Sequence, residues 1–63
     1  MKTFIAKNPK QLDLCLKLMY MENIRFTVTV TQPSKHKIVY EVYASIDGDD
    51  GEALERKYNV LIS

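Results

Sequence analysis

Cys15, His36 and the acidic group Asp47, Asp49, Asp50 and Glu52 are the side chains of this sequence best equipped for chemistry. A cysteine nucleophile needs a thiolate with a base beside it. Cys15 falls on the apolar stripe of an expected helix, and His36 falls in an expected hairpin tip. They therefore read as a small buried hydrophobe and a solvated turn residue. With His36 as the single histidine, placed in a solvated turn, no Ser-His-Asp arrangement can be argued. The two glycines, Gly48 and Gly51, do not form a phosphate-cradling loop. The carboxylates are the oxygen ligands that calcium and magnesium favour. An EF-hand loop beginning at Asp47 would place Gly51 at its fifth position and Tyr58 at its twelfth, which fails the pattern. Asp-Gly pairs are ordinary turn chemistry, so the group reads as a turn and a helix cap. The expectation is no catalytic residue, no metal site, no cofactor and no enzyme.

A second chemistry is nucleic-acid binding. Lys35, His36 and Lys37 are basic or titratable neighbours, and Arg25 and Tyr43 could join them on the open face of a sheet. Exposed aromatics on a sheet are how RNA-recognition domains stack bases. Against this, nine basic and eight acidic residues leave a net charge of +1. Nucleic-acid binding normally shows a clear basic excess. The same face would also carry three threonines, Val39 and Glu41.

The elements that must position these groups follow from periodicity. Phe26, Val28 and Val30 alternate with Arg25, Thr27, Thr29 and Thr31. A period of two puts the apolar set on one face of a strand. A second run, Ile38 to Ile46, follows Gln-Pro-Ser-Lys-His-Lys, and the pair reads as an antiparallel hairpin. Its inward set is Ile38, Tyr40, Val42, Ala44 and Ile46. Thr3 to Ala6 reads as a first strand. Asn8, Pro9 and Gln11 spell a helix start: a cap, a proline at the first helical position and a capping-box glutamine. The helix should run from Pro9 to Glu22, with Asn23 as its stop. Leu12, Cys15, Leu16 and Met19 form its core stripe. Leu14, Leu18 and Met21 form a second stripe roughly opposite, with Tyr20 beside it. Asp49 or Asp50 should cap a short helix bearing Leu54 and Tyr58, ending at Asn59. Val60 to Ile62 then reads as a last strand.

The resulting order, β-α-β-β-α-β, predicts a single α+β domain over residues 1–63. An antiparallel sheet would carry both helices on one face, in the ferredoxin-like layout. The alternative is β-α-β-β-α with a three-stranded sheet, in which the last helix takes in Val60 to Ile62. A chain of 63 residues buries only about 60% of its unfolded surface, so it gains from a partner. Cys15 has no second cysteine with which to form a disulfide, and one free thiol with no signal-like start suggests a reducing cytoplasm. No apolar run is long enough to span a membrane.

The function expected from these features is a small non-enzymatic interaction or regulatory module, acting as a homodimer or on another protein. Leu14, Leu18 and Met21 are the first candidate interface, and Val39 and Tyr43 on the open sheet are the second. Its size also fits a phage or bacterial accessory protein. Two alternatives stand beside it. One is single-stranded nucleic-acid binding through Arg25, Lys35, His36, Lys37 and Tyr43; the other is a domain that senses a small ligand.

Overall fold

A computed structural model describes residues 1–63. It contains β1 (Lys2–Ala6), α1 (Pro9–Met21), β2 (Phe26–Ser34), β3 (Lys37–Ala44) and α2 (Gly48–Ile62). The strands form one sheet in the order β1-β3-β2. Both outer strands run antiparallel to β3, so β1 and β2 are parallel to each other. The segment carrying α1 joins them across the central strand. Phe4 and Val28 both lie opposite Val42, which fixes the inner face. On that face the two helices close one core of Phe4, Cys15, Leu18, Met19, Val42, Ala44, Leu54 and Tyr58.

The start of α1 follows its local code. Asn8 Oδ1 accepts from the Gln11 amide at 2.9 Å, and Pro9 occupies the first turn. Gln11 Oε1 reaches back to the Lys7 amide, one residue before the cap. The helix closes at Glu22 rather than including it. Asn23 takes φ 57°, the left-handed geometry that asparagine tolerates. The Ile24 amide donates to the Met19 carbonyl and the Asn23 amide to that of Tyr20, which is a Schellman stop.

The expected fourth strand does not form. Val60 to Ile62 complete α2, giving the three-stranded β-α-β-β-α alternative. The physical reason is periodic. Leu54, Tyr58 and Ile62 recur every four residues, and all three pack on the core. Tyr58 Oη also donates to the Ile5 carbonyl at 2.8 Å. Leaving the helix after Asn59 would take Ile62 off that row, and tertiary packing outweighs the local β preference of Val-Leu-Ile. The helix also starts earlier than expected. Asp47, not Asp49 or Asp50, is the cap residue, and its carboxylate pairs with the Met1 amino group instead of an α2 amide.

The hairpin is longer than its alternation implied. β2 continues to Ser34 through a register irregularity after Thr31, and Pro33 sits inside that irregular stretch. The tip shrinks to Lys35 and His36. β3 ends at Ala44, two residues before Ile46. Val42 and Ala44 are fully buried, whereas Ile38 and Val30 are largely exposed. β1 stops at Ala6, opposite Tyr40, so the end of the hairpin projects past it.

Candidate functional site

The two helix ends create the largest apolar depression on the molecule. α1 stops at Met21, and α2 runs on to Ile62. Leu18 and Met21 on one side and Ala53, Val60 and Leu61 on the other line a groove of about 600 Å³. Met21 is 79% exposed and Val60 73% exposed. Apolar side chains this open, side by side, are more than the scattered exposure normal on a surface. Arg56 and Lys57 border the groove. Lys57 pairs with Glu22 across the helices, while Arg56 has no ionic partner. A smaller cavity of about 310 Å³ continues toward the start of α2, walled by Ile24, Ile46, Asp50 and Leu54. Ala53 and Lys57 belong to both depressions.

The second apolar stripe of α1 is therefore divided among three environments. Leu18 is 5% exposed and belongs to the core. It also lines the groove. Leu14 is half-buried, and Met21 stands open. Val39 and Tyr43, the other candidate interface residues, lie half-buried on the opposite, open face of the sheet. Val60 and Leu61 fall outside the expected interface because Val60 to Ile62 read as a strand, and Ala53 because a lone alanine on an expected helix marks no face. The signal that would have found them is the four-residue row Leu54, Tyr58, Ile62. Extending that row leaves Val60 and Leu61 off the core face.

The candidate nucleic-acid residues are not brought together. Lys35 and His36 occupy the hairpin tip with Lys37 beside them at the start of β3, and Arg25 precedes the opposite end of β2. Tyr43 lies opposite Thr27, at the Arg25 end. Six residues of strand, about 20 Å, separate it from Lys37. The centre of the open face holds Glu41, whose Oε2 accepts from Tyr43 Oη at 2.9 Å. That hydrogen bond, then burial and the Glu41 charge, push the Tyr43 phenol above its ordinary value. A carboxylate in the middle of the face opposes a phosphate backbone.

Cys15 is fully buried, and desolvation pushes its thiol up to about 11. A thiol with so little thiolate at neutral pH is a poor nucleophile. His36 is exposed at the hairpin tip. Asp47, Asp49, Asp50 and Glu52 do not assemble into a cluster of three metal-competent ligands. No helix is long and apolar enough to cross a membrane.

Comparison with known proteins gives no match: no family model, no curated protein and no solved structure is similar to this chain.

Proposed function

We propose that this protein is a non-enzymatic interaction module that associates with a second copy of itself through the groove between α1 and α2. The observation that carries the reading is the continuous apolar lining of Leu18, Met21, Val60 and Leu61, with Met21 and Val60 largely in solvent. Covering such side chains is worth about 25 cal/mol per Å² of apolar surface. A core of eight buried residues in so short a chain leaves room for that gain to matter. The groove offers alkyl groups and two cations, with no nucleophile or acid–base pair, so its chemistry is association. Nucleic-acid binding across the open sheet is the lesser reading, because Glu41 lies at the centre of that face.

Met21→Asp and Val60→Asp test the proposal. Both side chains are exposed, so neither change should unfold the chain. Light scattering during size exclusion should show a wild-type dimer at high concentration and monomeric variants with unchanged helical circular dichroism. Variants that dimerise like wild type would sink the reading.

A further inference from the structure

We infer that the two copies pair antiparallel along α2, with Ala53 on the two-fold axis and a fixed exchange of charges on either side. This rests on the proposed self-association and adds its register and selectivity. The order of side chains on α2 sets this register. Asp49, Ala53, Arg56 and Val60 are spaced four, three and four residues apart, which places them along one helical face. Asp50 and Lys57 flank that face on the groove side, where both line the depressions described above. The carboxylates precede Ala53 by four and three residues, and the cations follow it by three and four. Ala53 is the smallest side chain of that row.

A two-fold axis at Ala53 reverses one helix against the other. Asp49 then meets the partner's Arg56, and Asp50 meets the partner's Lys57. Symmetry doubles each pair, giving four attractions around a close crossing. Parallel alignment would instead oppose Asp49 to its own copy and Arg56 to its own copy, which is repulsive. The charge order therefore selects the antiparallel arrangement. The apolar groups agree independently. Val60 lies seven residues after Ala53 on α2, and the cavity lined by Ile46 and Asp50 lies on the other side of Ala53, at the start of the helix. The register brings exposed Val60 of one copy to the cavity walled by the partner's Ile46 and Ile24. Asp49, Asp50 and Arg56 have no ionic partner within their own chain, whereas Lys57 already bridges Glu22.

Asp49→Arg and Arg56→Asp test the register without touching the core. In either variant alone, two attractive pairs per dimer become repulsive. The dissociation constant measured by sedimentation should rise about tenfold or more, with helicity retained. Mixing the two variants restores both pairs, so an equimolar mixture should form a heterodimer close to wild-type affinity. If each variant dimerises like wild type, or if the mixture gains nothing, the antiparallel register is overturned. The self-association reading would then still stand or fall on Met21→Asp. A wild type that stays monomeric at every concentration overturns both, and leaves the groove to a partner of different sequence.

Discussion

Ionising Cys15 would place a thiolate within the core it shares with Phe4, Met19, Val42 and Leu54. Burial therefore lifts its pKa from an ordinary 9.0 to about 11. The folded value lies above the unfolded one. The associated stability is thus fully present below pH 9 and is lost as pH rises through 11. About two pH units at roughly 1.4 kcal/mol each come to about 3 kcal/mol in all, of which about 2 kcal/mol is lost between pH 9 and 11. A chain of 63 residues has only about 3–9 kcal/mol in total. Tyr58 acts in the same direction: burial first, then the charge of Cys15, raises its phenol. The assay is urea unfolding by circular dichroism at pH 7.5, 9, 10 and 11, at one fixed protein concentration. Wild type should lose about 1–2 M of its urea midpoint between pH 9 and 11. Cys15→Ala should begin lower, through the lost packing, and fall much less over the same window. Parallel losses in the two proteins would refute the burial argument, because the thiol would then contribute nothing to the slope.

Two further predictions concern the elements that frame the groove. Asn8→Ala removes the acceptor of the Gln11 amide and should cost about 1 kcal/mol, lowering the melting temperature by roughly 4–8 °C; an unchanged melt would contradict the cap. Tyr58→Phe keeps the edge-on contact with Phe4, 5.7 Å between ring centroids, but loses the bond to the Ile5 carbonyl. The expected loss is about 0.5–1.5 kcal/mol by thermal denaturation, and a gain in stability would show that the hydroxyl does not anchor α2 to β1.

Local chemistry determined several elements before any tertiary contact was considered. Asn8 and Pro9 begin α1 because a side-chain acceptor and a fixed φ suit a helix start wherever the chain folds. Asn23 ends it because few residues tolerate its backbone geometry. The alternation from Phe26 to Val30 set the faces of β2, and the inward assignment of Val42 and Ala44 followed from the same rule. The tertiary structure decided the C-terminal segment. Val-Leu-Ile is compatible with strand or helix on its own, and the choice came from Tyr58 and Ile62 packing in the same row as Leu54. That choice also made the groove, since Val60 and Leu61 reach Met21 only from a helix. The fate of Leu18 was likewise undetermined by sequence. A second apolar stripe can face a neighbouring helix or solvent, and only the position of α2 buried Leu18 while leaving Met21 open. Periodicity reports which residues share a face, whereas burial depends on what lies opposite, and that is set by the chain as a whole.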